Sequence, residues 1–146
     1  MQLSTFGAIM KLAMDCERQI TDILEKLGRT SRPTAFNDLS KRILADSKKS
    51  LNLLERVRRE SINEVILEPT TGLEDSDYRL EDRSSDELST PEFGRHLEDA
   101  LERTCRFYTD AASKISNPEA ARAFRRLAQQ KMNLRQNVKE RISDLS

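Results

Sequence analysis

The sequence predicts an all-α fold, an antiparallel four-helix bundle built from two helical hairpins that a long crossover joins. Apolar residues recur at spacings of three and four along four segments, which is the period of one helix face. Charged residues make up 34% of the chain and aromatic residues 5%, the balance of a protein whose apolar residues form narrow stripes. The 146 residues can bury one continuous core, so we expect residues 1–146 to form a single domain.

The first hairpin is predicted from two apolar stripes. The first helix covers about residues 5–27 and ends before Gly28, a residue typical of helix C-termini. The second covers about residues 33–64 and begins at Pro33, which suits a first helical turn. The two inward stripes are Ile9, Leu12, Ala13, Cys16, Ile20, Ile23, Leu24 and Leu27, and Phe36, Leu39, Ile43, Asp46, Ser50, Leu53 and Val57.

The segment of about residues 65–90 has no sustained helical period and is predicted to be the crossover. It is longer than a usual helix hairpin connection, so we expect it to run along the bundle and to leave helices 2 and 3 as neighbours. Its expected anchors on the bundle are Leu67, Leu73, Tyr78 and Leu80.

Two similar start signals predict the second hairpin. Thr90-Pro91-Glu92 offers an N-cap residue, a proline and an acidic residue, which predicts a third helix over about residues 91–115. Asn117-Pro118-Glu119 repeats this signal and predicts a fourth helix over about residues 118–145.

Charge and hydropathy limit the partners and the location. The chain has 25 basic and 25 acidic residues, which are interspersed, so we expect no nucleic acid partner. The one local excess, Arg56, Arg58 and Arg59, is interpreted as a solvated helix face. No apolar run approaches the ~20 residues that cross a bilayer, and no secretory signal is recognised. A cytoplasmic protein without membrane contact is therefore expected.

The sequence offers no catalytic constellation. It has no glycine-rich phosphate loop, no Gly-x-Ser-x-Gly motif, and no nucleophile accompanied by histidine and an acid. The single histidine, His96, is expected at the surface or its boundary. Cys16 and Cys105 lie in helical patterns without Cys-x-x-Cys spacing, and we expect buried thiols, with a mutual pair or redox role as the alternative. No catalytic or cofactor-binding residue is predicted.

An internal repeat relates the two hairpins. An offset of 88 residues superposes Thr21-Asp22 on Thr109-Asp110, Ala35-Phe36 on Ala123-Phe124, and Leu39 on Leu127. Two equivalent hairpins around one core predict an approximate two-fold axis, with the inward residues meeting at the centre.

The second hairpin resembles that of rubrerythrin-type ferritin-like proteins. The residues that carry this resemblance are Leu101 to Tyr108 with Ala111, then Asn117-Pro118-Glu119, then Phe124-Arg-Arg-Leu127-Ala128. The resemblance covers essentially the full chain and implies a bundle of ferritin-like type. In that family each half supplies one glutamate from its first helix and a Glu-x-x-His pair from its second, and together these hold two metal ions.

The ligand positions that the resemblance implies are Leu101, Lys131 and Leu134 in the second half, and Ala13, Ile43 and Asp46 in the first. Only Asp46 could ligate a metal, and Lys131 brings a positive charge. One histidine cannot supply two Glu-x-x-His pairs in any register. We therefore expect a degenerate member without a metal or cofactor, with Glu17 and Glu102 as surface carboxylates.

Asp46 and Lys131 lie in central layers, where an unpaired charge would be costly. They either form a buried ion pair in place of the metal, or the Lys131 stem carries its ammonium to solvent. Replacing Lys131 with methionine distinguishes the two: it destabilises the fold in the first case and is nearly harmless in the second.

Three functional hypotheses follow. The first is a non-catalytic ferritin-like bundle acting by protein association, expected as a homodimer with a large exposed apolar patch. Phe6, Met10 and Met14 are candidates for that patch, although core packing is the favoured interpretation of each residue alone. The alternative is a rubrerythrin-like metal-binding oxidoreductase or iron-handling protein with an unorthodox site of Glu17, Asp46 and Glu102. The third is a carrier of a small apolar ligand in the vacated centre, against which the leucines and isoleucine at the former ligand positions argue.

Overall fold

The computed structural model describes residues 6–25, 34–65, 78 and 89–145, without the side chains of residues 61–65 and 145. The described residues form four α-helices and no strand, which confirms the prediction of an all-α chain with four helices. The helices are α1 (Phe6–Glu25), α2 (Thr34–Val65), α3 (Thr90–Ala112) and α4 (Pro118–Leu145). Leu27, Gly28, Pro33 and the expected anchors Leu67, Leu73 and Leu80 lie outside the described residues.

Helix α3 begins one residue earlier than the sequence indicated. Its N-cap is Ser89, whose backbone is extended and whose hydroxyl accepts a hydrogen bond from the Glu92 N–H at 3.2 Å. Thr90, the predicted N-cap, is the first helical residue. Serine is a somewhat better N-cap residue than threonine, and a cap side chain accepts from an N–H two or three residues ahead, as Ser89 does from Glu92.

The connection between α3 and α4 follows the predicted signal closely. The N–H groups of Lys114 and Ile115 both donate to the Ala111 carbonyl, at 2.9 and 3.0 Å, and Ile115 is buried beyond the end of α3. The Asn117 side-chain oxygen accepts from the N–H groups of Glu119 and Ala120, each at 3.0 Å. Asn117 is therefore the N-cap of α4, as its sequence pattern predicted.

The helix contacts form a ring in which α1 packs against α2 and α3, while α4 packs against α2 and α3. Helices α2 and α3 are not among the closely packed pairs, so the prediction that they are neighbours is wrong. A connection over residues 66–89 is long enough to reach across the bundle. Helix α3 instead packs its apolar face against α1 and α4.

Close contacts fix how α3 and α4 lie against each other. Gly94, near the start of α3, faces Ile142 near the end of α4, and a Cβ at position 94 would lie 2.7 Å from Cγ1 of Ile142. Phe107, near the end of α3, has its ring centroid 6.3 Å from that of Phe124, near the start of α4. The glycine therefore permits a close approach of the two helices.

The buried apolar residues form two clusters, named here after Phe107 and Phe93. The Phe107 cluster includes Ala13, Leu54, Tyr108 and Ala128, and the Phe93 cluster includes Ile20, Ile43, Leu101 and Leu134. Buried polar residues lie between the two clusters on every helix: Glu17 on α1, Ser47 and Ser50 on α2, Thr104 on α3 and Lys131 on α4. The core is thus two apolar regions separated by a polar layer.

Tyr78 confirms one predicted anchor of the crossover. Its ring packs edge-on against Phe107 with centroids 5.1 Å apart, and its hydroxyl donates to a carboxylate oxygen of Asp110 at 2.7 Å. The Arg106 guanidinium lies 5.5 Å from the ring centroid. Apolar packing, a hydrogen bond and a cation–π contact therefore hold this point of the crossover on α3.

Candidate functional site

The centre of the polar layer is occupied by the side chain of Lys131, which is fully buried. Its Nζ lies 2.8 Å from Oε1 of Glu17 and 2.9 Å from Oδ2 of Asp46, and it donates to Oγ of Ser50 at 3.2 Å. Glu17 belongs to α1, Asp46 and Ser50 to α2, and Lys131 to α4. An ammonium group has three donors, and three oxygen atoms surround this one.

The fourth helix joins the cluster through Tyr108 of α3. Its hydroxyl donates to Oε2 of Glu17, the carboxylate oxygen that does not face Lys131. Glu17, Asp46, Ser50, Tyr108 and Lys131 are called the central ion cluster below. Every helix of the bundle contributes at least one member, so the cluster links all four helices.

Helical register explains why these residues meet. Glu17 follows Ala13 by one turn and precedes Ile20 by three residues, so it continues the buried face of α1. Ser50 lies one turn after Asp46, and its hydroxyl donates back to the Asp46 carbonyl at 3.0 Å. That bond leaves the lone pairs of Ser50 Oγ directed outward, where one accepts from Lys131.

The prediction that Glu17 is a surface carboxylate is wrong, because its side chain is fully buried. The residue was excluded from the apolar stripe by its chemistry, although its position fits the stripe. Its charge is tolerated in the core because Lys131 and Tyr108 together serve both of its oxygens. Glu102, the other predicted surface carboxylate, is half-buried on α3 and is not part of the cluster.

The ion pair between Asp46 and Lys131 confirms the first of the two interpretations of these residues. The alternative, an ammonium carried to solvent, is wrong, since Lys131 has no exposed surface. The side chain of Asp46 is 24% exposed, so this carboxylate forms the side of the cluster that solvent reaches. The cluster is therefore closed at Glu17 and open at Asp46.

Burial dominates the electrostatics of Glu17. Loss of solvent raises the pKa of its carboxyl above the ordinary 4.5, and the Lys131 charge and the hydrogen bonds from Lys131 and Tyr108 offset this only in part. Ser47 lies near enough to lower this pKa slightly, although its buried hydroxyl makes no hydrogen bond of good geometry. The carboxyl of Glu17 thus holds a proton more tightly than a solvated glutamate.

The neighbouring groups remain neutral for the same reason. Burial, followed by the proximity of Glu17, raises the pKa of the Tyr108 phenol well above 10.0. Burial and the charge of Glu17 also raise the pKa of the Cys16 thiol to about 12. Cys16 and Cys105 are buried free thiols, which confirms the first interpretation of the cysteines. Neither thiol has the depressed pKa of a reactive cysteine.

The remaining ligand positions implied by the ferritin-like resemblance are filled with hydrocarbon. Ala13, Ile43, Leu101 and Leu134 are all buried. Within the described residues, no group of three or more histidine, cysteine, aspartate and glutamate side chains could hold a metal ion. Of the unorthodox set considered above, Glu17 and Asp46 do converge, but on the Lys131 ammonium, and Glu102 does not join them.

One further sequence prediction is corrected and one is confirmed. His96 was expected at the surface or its boundary, but it is buried in α3, only 8% exposed. Phe6 and Met10 belong to the core and Met14 packs against it, which confirms core packing, rather than an exposed apolar patch, as the favoured interpretation of these residues. The helical stripe of α1 is wider than its strongest period suggested. The exposed large apolar side chain of the described part is that of Met132, which is 51% exposed.

Sequence reasoning missed Glu17 and Tyr108 as members of the cluster. The signal for Glu17 was its spacing from Ala13 and Ile20, which no surface residue of α1 shares. Tyr108 was recognised only as one of the residues that carry the ferritin-like resemblance, although a buried phenol needs a hydrogen-bond partner. Searching for that partner would have pointed to a buried carboxylate.

Comparisons with protein-family models, with curated proteins and with solved structures found no match. Among the described residues, no helix is both long enough and apolar enough to cross a bilayer.

Proposed function

We propose that this chain is a non-catalytic antiparallel bundle of ferritin-like type, in which the Lys131 ammonium takes the central place of a metal ion. The observation that carries the proposal is the position of Nζ, 2.8 Å from Glu17 and 2.9 Å from Asp46, within the polar layer between the two apolar clusters. The cation of this bundle is then supplied by the chain itself. Its role is structural, because it joins α1, α2 and α4.

The charge arrangement argues against the alternative of an unorthodox metal-binding oxidoreductase. A divalent ion that used Glu17 and Asp46 would need the same oxygens that Lys131 contacts. It would therefore have to displace a fully buried ammonium or lie beside it, at a Coulombic cost. A carrier of small apolar ligands is also disfavoured, since the buried Lys131 side chain fills the centre.

Metal analysis tests this proposal. Protein purified without chelator, then incubated with Fe²⁺, Mn²⁺ or Zn²⁺ and desalted, should retain far less than one ion per chain, and its melting temperature should not rise. Glu17→Gln and Asp46→Asn are the matched variants. Stoichiometric metal that both variants lose would overturn the proposal, whereas residual metal that both variants keep would be bound elsewhere.

We further propose that the bundle acts in the cytoplasm by association, as a homodimer that uses the groove between α3 and α4. This groove of about 270 Å³ is lined by Cys105, Thr109, Ser113, Arg125, Ala128, Gln129 and Met132. Met132 supports the choice, because a flexible exposed thioether adapts to an apolar partner surface. The solution mass should be that of a dimer, and Met132→Glu should reduce it to a monomer, whereas an equal change at exposed Gln129 should have less effect. A monomeric wild-type chain would contradict this choice.

A further inference from the structure

The central ion cluster contains one more acidic group than basic group. The titratable groups that face Glu17 come from every helix: Cys16 on its own helix, Asp46 on α2, Tyr108 on α3 and Lys131 on α4. The thiol and the phenol are neutral, because burial raises both of their pKa values. Two ionised carboxylates and one ammonium would then leave a net charge of −1 inside the bundle, which burial makes costly.

The exposure of the two carboxyls shows on which of them a negative charge costs more free energy. Asp46 is 24% exposed and lies 2.9 Å from the Lys131 ammonium, so water and an ion pair both stabilise its carboxylate. Glu17 has no exposed surface. Lys131 contacts both carboxyls, so the difference in exposure decides: the excess negative charge is more costly on Glu17 than on Asp46.

The contact with Tyr108 offers a place for one more proton. Oε1 of Glu17 faces the Lys131 ammonium, while Oε2 faces the Tyr108 hydroxyl. If Glu17 is ionised, the hydroxyl donates to Oε2. If Oε2 is protonated, it donates and the hydroxyl oxygen accepts. The contact between Oε2 and the phenol oxygen persists in both protonation states, and in the second the phenol hydrogen turns away from Oε2.

We propose that the folded chain retains a proton on Oε2 of Glu17 at neutral pH, and that losing this proton in alkaline solution weakens the attachment of α1 to the bundle. The inference deepens the proposed structural role of the cluster and rests on it. The cluster then acts as a pH-sensitive lock: it is net neutral when Glu17 is protonated and carries an excess negative charge when Glu17 loses the proton.

The sign of the pH dependence follows from linkage. In the unfolded chain Glu17 titrates at its ordinary pKa of 4.5, and burial raises the pKa in the folded chain. Below pH 4.5 both states hold the proton and the contribution of Glu17 to stability is complete. As the pH rises further, the unfolded state releases the proton first, and the contribution falls until the folded pKa is passed. Over this interval unfolding releases about one proton, so its equilibrium constant rises about tenfold per pH unit.

Infrared spectroscopy of the whole chain tests the proton directly. Wild-type protein at neutral pH should show the carbonyl band of a protonated carboxylic acid, and this band should disappear in alkaline solution. The band should be lost in Glu17→Gln, and also in Asp46→Asn, because Lys131 then neutralises an ionised Glu17 and no excess negative charge remains. Glu102→Gln is the matched control, because Glu102 is half-buried but outside the cluster. Absence of the band in wild-type protein, or its persistence in Glu17→Gln, would overturn the inference.

Stability measurements provide the second readout. Glu17→Gln mimics the protonated carboxyl, so the ratio of wild-type to variant unfolding constants should rise about tenfold per pH unit above pH 4.5, then level off. After correction for the base-catalysed intrinsic rate, the protection of α1 amides against exchange should fall in alkaline solution in wild-type protein but not in the variant. A constant ratio would overturn the lock. Should the variant not fold, the wild-type infrared band still decides, and bound metal would refute the proposed function rather than the proton.

Discussion

The two halves of the bundle pack alike but differ in charge. Phe36 and Phe124 are equivalent in the internal repeat and both are fully buried, as are Ile9 and Leu97. The central positions differ: Glu17 corresponds to Cys105, whereas Lys131 corresponds to Ile43. The first half therefore supplies the carboxylates of the central ion cluster, and the second half supplies the ammonium and the phenol.

This difference shows what each half can do without the other. The apolar residues of one half have apolar counterparts in the other half. Because apolar side chains pack against one another without a fixed partner, these residues do not determine how the two halves pair. The polar positions are not interchangeable, because Glu17 and Asp46 would be unpaired charges without Lys131 from the second half. The charges of the cluster can therefore be buried only when the two halves pack together in the correct register.

The largest effect is expected for Lys131→Met. The substitution keeps the volume but removes the cation that contacts Glu17 and Asp46, and leaving the Asp46 carboxylate without its ion-pair partner costs about 3–5 kcal/mol. Urea denaturation should show this loss of unfolding free energy. The control is Arg58→Met, since the Arg58–Glu55 pair has side chains 52% and 38% exposed and should contribute less than ~1 kcal/mol.

A variant in which Glu17, Asp46 and Lys131 are all replaced by apolar residues sharpens this test. Because no charge is then left unpaired, its stability should be equal to or above that of Lys131→Met, and close to that of the wild type. If the single and the triple variant lose the same free energy, packing rather than charge is what Lys131 provides.

A smaller effect is expected for Tyr108→Phe, which removes the hydrogen bond to Oε2 of Glu17 and keeps the buried ring. Leaving a buried carboxyl oxygen without this partner should cost about 1–3 kcal/mol. Tyr108→Phe in a Glu17→Gln background should cost less unfolding free energy, because an amide oxygen accepts a weaker hydrogen bond from the phenol than a carboxylate does. Equal costs in the two backgrounds would show that the contribution of the hydroxyl does not depend on the carboxyl of Glu17.

The smallest effect is expected for Asp110→Ala, which removes the acceptor of the Tyr78 hydroxyl on α3. The expected cost is about 1 kcal/mol, and limited proteolysis in the crossover should become faster. Its repeat equivalent, Asp22, is exposed on α1 and provides the control, because Asp22→Ala should change stability by less than ~0.5 kcal/mol. Equal effects would indicate that Tyr78 does not depend on this bond.

The sequence by itself determined the helices and most of the core. The period of the apolar stripes predicted four helices, and the N-cap signal at Asn117 located the start of α4. The Asp46–Lys131 pair was also within reach, because both residues occupy inward positions and an unpaired inward charge is costly. These features depend on the backbone preferences of neighbouring residues and on the spacing of apolar residues along the chain, both of which can be read from the sequence.

Only the tertiary structure decided which faces meet. The ring of contacts separated α2 from α3, and it brought Glu17 to Lys131 and Tyr108 across the bundle. A glutamate on a helix stripe has the same local pattern whether it faces water or an ammonium group. Its burial becomes favourable only when residues of other helices contact it. Those residues are far apart in the chain, so the sequence around Glu17 does not indicate the contact.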